Sequence, residues 1–195
     1  MSAREAILAR VRANRPKGDY VLPDLPRFKL EQPAGLIATF SAMLQAMGGK
    51  LATPTAGQDT RELIRALFPN VGIVCSAVPE VSGDRDLSQV QQPRDLADVD
   101  VAVVRAILGV AETGSVLFTE SQLKVNTVAY LAQHLVVLLA PEAIVPGIQD
   151  AYDHPSFRTA KYAVYHTGPS ATGDIEGVLI HGAQGVRSLT VVLTG

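Results

Sequence analysis

Unbroken apolar runs rich in β-branched residues, "VGIVCSA" from Val71, "HLVVLLA" from His134 and "SLTVVL" from Ser188, constrain this chain more than any other feature. A strand with one wet face alternates apolar and polar residues, so a continuous run has to be covered on both sides. Segments of helical periodicity lie between these runs, and that alternation predicts a layered α/β fold whose sheet is largely parallel. At 195 residues the chain suits one such core better than two. Residues 1–30 read as an N-terminal appendage and 31–195 as a single α/β domain.

Ser2 and Glu5 have capping-box spacing, and Ile7, Leu8 and Val11 follow on one face, which predicts a helix from Ser2 to about Asn14. Three prolines between Arg15 and Arg27 predict an extended arm. A second helix is expected from Glu31 to Met47 with Gly48 as its stop, then a helix over "QDTRELIRALFPN" and a strand from Val71 to Ala77. After a polar surface connection, strands are expected at Val101 to Arg105 and Ser115 to Thr119, with a turn around Gly109 and "AETG" at or near the bend. "NTVAYLAQ" reads as a short helix, "PEAIVPGIQDAYDHP" as a helix, "YAVYHT" as a strand, and "SLTVVL" as the strand that closes the sheet.

With 17 basic and 19 acidic residues the formal charge is −2, which argues against a nucleic-acid partner or an anionic membrane. No segment approaches the roughly 20 apolar residues of a membrane span, and the N-terminus lacks a signal-peptide stretch, so a cytoplasmic location is expected. The single cysteine, Cys75, reads as a buried core residue and cannot hold an iron–sulfur cluster alone. His134, His154, His166 and His181 show no metal-ligand spacing, and Ser121, Ser170 and Ser188 stand in no nucleophile elbow. Arg105 and Arg187 could reach an anion, with solvation at the surface as their default reading.

Two stretches offer chemistry. In "YHTGPSATGDIEG", Gly168 lets the backbone approach a ligand, Pro169 stiffens the turn, and Ser170 and Thr172 are able to cap a following helix near whose start Asp174 and Glu176 would lie. In "AETG", Glu112 stands among small and apolar residues, where desolvation would prepare a carboxylate as acid, base or nucleophile. Each has a plainer reading: the first as a strand-to-helix connection, the second as a paired or solvent-facing glutamate at a turn.

"AETG", then "AQHLVVLLAPEAIVPGIQDAY", then "HTGPSATGDIEGVLIHGAQGVRSLTVVL" together resemble the LUD domain family, within it the lactate utilisation protein C group (LutC/YkgG type). The resemblance runs in order from about Val101 to Leu193. It implies a three-layer α/β/α fold of the NagB/RpiA/CoA-transferase type. It also implies a part in oxidising L-lactate to pyruvate beside partner proteins that carry the iron–sulfur clusters, with no cofactor in this chain. Glu112 is the catalytic residue this suggests, and Thr113, Gly114, Thr167, Gly168, Pro169, Ser170, Asp174, Glu176 and Gly182 the ligand-binding ones. Ile175 and Gly185 also match. Ala171 stands where many members have an arginine, Gly173 where an alanine is usual, and Gln184 and Val186 where a histidine and a proline are common.

Three functions compete at this point. One is an accessory component of a lactate-oxidising assembly. Another is an independent enzyme for a small carboxylate, phosphosugar or acyl-CoA, with Glu112 as base or nucleophile and the amides around Gly168 to Ser170 holding developing charge. The third is a binding module without catalysis.

Overall fold

The computed structural model describes residues 2–18, 20–31, 34–55 and 58–194. In chain order the elements are α1 (Ala3–Ala13), α2 (Leu36–Ala46), β1 (Lys50–Ala52), α3 (Thr60–Leu67), β2 (Val74–Ser76), β3 (Val101–Arg105), β4 (Leu108–Val110), β5 (Ser115–Thr119) and α4 (Glu120–Leu123). There follow α5 (Val128–Leu131), β6 (His134–Leu139), β7 (Ile144–Val145), α6 (Ile148–Tyr152), α7 (Ser156–Thr159), β8 (Ala163–His166), β9 (Ala171–Ile175), β10 (Val178–His181) and β11 (Ser188–Leu193).

α1 forms as its cap dictates: the Glu5 N–H donates to Ser2 Oγ at 3.2 Å and the Ser2 N–H to Glu5 Oε2 at 2.7 Å. None of its residues is buried, so local capping rather than packing holds this helix. The arm that follows carries no regular structure, Asp19 lying outside the described residues. It meets the body at Pro26–Phe28, where the Phe28 N–H donates to Gln149 Oε1, Gln149 Nε2 donates to the Pro26 carbonyl, both at 3.0 Å, and Arg27 pairs with Asp153.

α2 begins at Leu36 and not at Glu31; Gln32 and Pro33 of the expected first turn lie outside the described residues. Gly35 has φ +83°, a conformation that a right-handed helix cannot pass through. At the other end Gly48 does act as the stop. The Gly49 N–H donates to Leu44 O at 2.8 Å and the Gly48 N–H to Gln45 O at 2.9 Å, a Schellman closure around a residue with φ +83°.

The main sheet has five parallel strands in the order β1-β11-β6-β3-β2. Side chains alternate across it. Val101, Val103, Val136, Leu138 and Val192 pack against Leu63 and Ile64 of α3, while Ala102, Val104, Leu135, Val137 and Val191 face Phe40 and Leu44 of α2 and Phe118 of β5. Burying each of the larger of these side chains contributes about 1.5–3 kcal/mol, which explains why the runs are apolar on both faces. "SLTVVL" does not close the sheet but lies inside it, because β1 pairs on its outer side and β6 on its inner side.

A second, mixed sheet, β7-β4-β5-β8, packs on the first. Gly109 is therefore the middle of a strand and not a turn. A Cβ there would stand 2.8 Å from Leu139 Cδ2 and 3.1 Å from Phe40, so the glycine answers to crowding between the sheets. The bend comes at 111–114, within "AETG". "PEAIVPGIQDAYDHP" is likewise not one helix: a single 3-10 turn at Pro141–Ala143 gives way to Ile144, which pairs with Gly109 as β7, and the α-helix is confined to Ile148–Tyr152. The helix expected beyond the Gly168 turn is a hairpin of β9 and β10, whose two-residue turn, Glu176 (φ +51°) and Gly177 (φ +71°), has the paired positive φ of a type I′ connection. Among the described residues no helix is long and apolar enough to cross a membrane.

Candidate functional site

The strand β8 ends at His166, and the chain then turns through Thr167, Gly168, Pro169 and Ser170 into the hairpin. The turn is pinned from two sides. The Ser170 N–H donates to Val186 O at 2.9 Å, the Gly182 N–H donates to Ser170 O at 2.7 Å, and the Ser170 hydroxyl donates to the Gln184 carbonyl. Beneath it lies a cavity of about 260 Å³ bordered by Tyr130, Tyr165, His166, the 167–170 turn, Gln184 and Gly185.

His166 is the chemically unusual member. Its ring packs edge-on to Phe118 at 5.4 Å and tilted against Tyr130 at 5.0 Å, and its buried Nε2 has no hydrogen-bond partner among the described residues. Burial pushes its pKa down to about 4, so the imidazole is neutral near pH 7. The Tyr130 and Tyr162 hydroxyls hydrogen-bond to each other, and burial first, then this bond, raises the Tyr130 pKa. A neutral imidazole beside a 260 Å³ cavity offers one hydrogen bond to a small guest, and none of the described residues bordering the cavity carries a formal charge. A strongly anionic ligand finds no counter-ion among the described residues of this lining.

A chain of hydroxyls connects the two stretches singled out from sequence: Thr113 Oγ1 donates to Ser115 Oγ at 2.8 Å, and Ser115 in turn shares a hydrogen bond with Thr167 Oγ1. Gly114 and Gly168 converge as well, on helix α2. A Cβ on Gly114 would stand 2.3 Å from Leu44 N, and one on Gly168 2.1 Å from Met47 O. Both have positive φ, +67° and +71°. Leu44 and Met47 are three residues apart and share one side of the helix end, so these glycines let two turns close on it.

Glu112 is not brought to this cavity. Its side chain is exposed instead of enclosed among apolar groups, and Oε2 accepts the Ile148 N–H at 2.9 Å, at the start of α6. It borders a separate cavity of about 240 Å³ with Phe28, Leu30, Gly147 and Asp150, and the two cavities share no residue. Asp174 on β9 and Glu176 in the hairpin turn are both exposed and border neither. Gly182 ends β10 at φ +73°, where a Cβ would stand 2.8 Å from Arg187 Cγ.

The turn lies beside the starts of two strands of the main sheet. Val186 and Gln133, bonded to Ser170 and Arg187, precede β11 and β6, so the cavity sits by the amino ends of these parallel strands. β8 does end there, but it belongs to the second sheet. Sequence reading missed His166 as a site residue; the Tyr-His pair at the end of "YAVYHT" was visible, but the Tyr130 and Phe118 that enclose it come from elsewhere in the chain.

The model of the LUD domain family matches residues 84–194, more than half of the chain and all of the stretches discussed above from "AETG" onward. A DUF162 family protein from Deinococcus radiodurans has a similar solved structure, with a TM-score of 0.63 over 85% of this chain and 100% of that one at 13% identity. That likeness bears on the fold alone, an α/β architecture with a parallel five-stranded sheet. No curated protein matches the sequence.

Proposed function

Because the chain belongs to the LUD domain family, a family linked to lactate utilisation, we propose that it is a component, of the lactate utilisation protein C type, of a system that oxidises L-lactate to pyruvate. In this reading it acts beside partner proteins that carry the iron–sulfur clusters, and electrons pass through those clusters. The observation that carries the proposal is the family match over 84–194. The chain's single, fully buried cysteine agrees with clusters residing in partners.

The β9–β10 hairpin supports an assembly role. Val178 and Leu179 are about 60% exposed beside Asp174 and Glu176, a projecting apolar strip with acidic neighbours of the kind that mark protein contacts. The cavity at the Gly168 turn, at the root of this hairpin, is the place where a small guest would be felt by a docked partner. An independent enzyme for a phosphosugar or acyl-CoA is less well supported, since Glu112 and the Gly168 turn border different cavities.

Affinity purification of the full chain from lactate-grown cells tests the proposal: cysteine-rich iron–sulfur proteins are expected to come with it, and cells lacking its gene should fail to grow on lactate. Unimpaired growth without the gene would overturn it.

A further inference from the structure

Parallel strands all finish on one edge, and there loops and helix starts present polar groups that the sheet itself does not use. In this sheet Ala52, Val192, Leu138 and Arg105 stand in one register row near that edge. Just past it lies a cleft of about 590 Å³, in the ordinary size range of ligand sites, bordered by Thr53, Gln58, Thr60, Glu80, Arg105 and Thr194. None of these residues borders the cavity at the Gly168 turn, which is at the amino end of the same strands.

Arg105 is the cation of this cleft. As the last residue of β3 its stem is fixed by the sheet, and its side chain is 37% exposed, neither free in solvent nor sealed. Nη1 donates to Thr194 Oγ1 at 3.3 Å and Nη2 to Glu80 Oε1. A guanidinium has five N–H donors in a rigid fork, so two are engaged and the rest have no acceptor among the described residues. The threonine hydroxyls and the Gln58 amide supply both donors and acceptors around it.

We propose that this cleft is a binding site for a small carboxylate, with Arg105 taking the carboxylate group and the threonine hydroxyls and Gln58 the neighbouring polar atoms. A planar pair of oxygens matches one guanidinium fork. A phosphate dianion fits less well, because Arg105 is the only cation among the described residues bordering the cleft and Glu80 would repel the second charge. Glu80 shares the guanidinium with the guest, so its charge opposes binding. The carboxylate class is read from the cleft, and the choice of L-lactate and pyruvate as its members rests on the proposed function.

Isothermal titration of the full chain with L-lactate, pyruvate, acetate and inorganic phosphate, at matched ionic strength, is the test. Saturable binding of L-lactate or pyruvate is expected, weakened at least about tenfold in Arg105→Gln, the loss of one charge-assisted pair. Glu80→Gln should tighten it several-fold, and this opposite change separates loss of the site from loss of the fold. Arg158→Gln, an exposed charge removed from α7, should leave it unaltered. Silence with every carboxylate, binding of phosphate alone, or lactate binding indifferent to both Arg105→Gln and Glu80→Gln would each overturn the proposal; copurification and growth on lactate bear on the assembly role and not on this cleft.

Discussion

Gly168 lies so close to the end of α2 that a Cβ on it would stand 2.1 Å from the carbonyl oxygen of Met47. Gly114 does the same one helical turn earlier, against Leu44. The two glycines of "AETG" and "TGPS" thus meet on a common helix, and their absent side chains are required by backbone packing there.

Gly168→Ala and Gly114→Ala should each destabilise the fold by more than about 2 kcal/mol, since a positive φ and a backbone overlap add. Urea unfolding measures this. Gly173→Ala, with nothing within 4 Å of its Cβ, is the control and should shift stability by less than about 0.5 kcal/mol.

Removing residues 2–18 should leave the unfolding free energy of the remainder within about 0.5 kcal/mol of the full chain, because α1 buries no residue. Arg27→Ala should release the arm to limited proteolysis while costing under about 1 kcal/mol, as its pairs with Asp150 and Asp153 are exposed. A large drop in stability from either change would mean that the arm packs on the body in solution.

Glu112→Ala should cost about 1 kcal/mol through loss of the acceptor for the Ile148 N–H, and Glu112→Gln, which keeps an amide oxygen, clearly less. Growth on lactate should survive both. Loss of growth with Glu112→Gln at unchanged stability would return this carboxylate to a catalytic role.

Acid should weaken the protein through His166. Its folded pKa of about 4 lies below the ordinary value of 6.5, so between these values the unfolded chain binds a proton that the folded one excludes. The contribution is fully present above pH 6.5 and is lost as pH falls toward 4, about 3 kcal/mol in all. His166→Phe keeps an aromatic ring against Phe118 and Tyr130 and should flatten the slope of unfolding free energy between those pH values. An unaltered slope would assign the acid sensitivity to other groups.

The residues resolved in advance were those whose fate is settled within a few positions. Ser2 and Glu5 cap α1 across three residues, Gly48 and Gly49 end α2 by closing onto Gln45 and Leu44, and the run from Val101 to Arg105 is a strand to its last residue. The failures share a cause too. Gly109 reads as a turn until Leu139 and Phe40 are seen pressing on it, and "PEAIVPG" reads as helix until Ile144 finds Gly109 as a strand partner.

By itself, then, the sequence determined that apolar runs would be buried as parallel strands between helices, because hydrophobic periodicity and capping act through near neighbours and survive any arrangement of the whole. Only the tertiary structure decided that two sheets form instead of one, that Glu112 turns to Ile148, 36 residues on, and that Arg105 ends beside Thr194, 89 residues on. Those outcomes depend on which strand pairs with which and in what register, a choice made by packing the complete core.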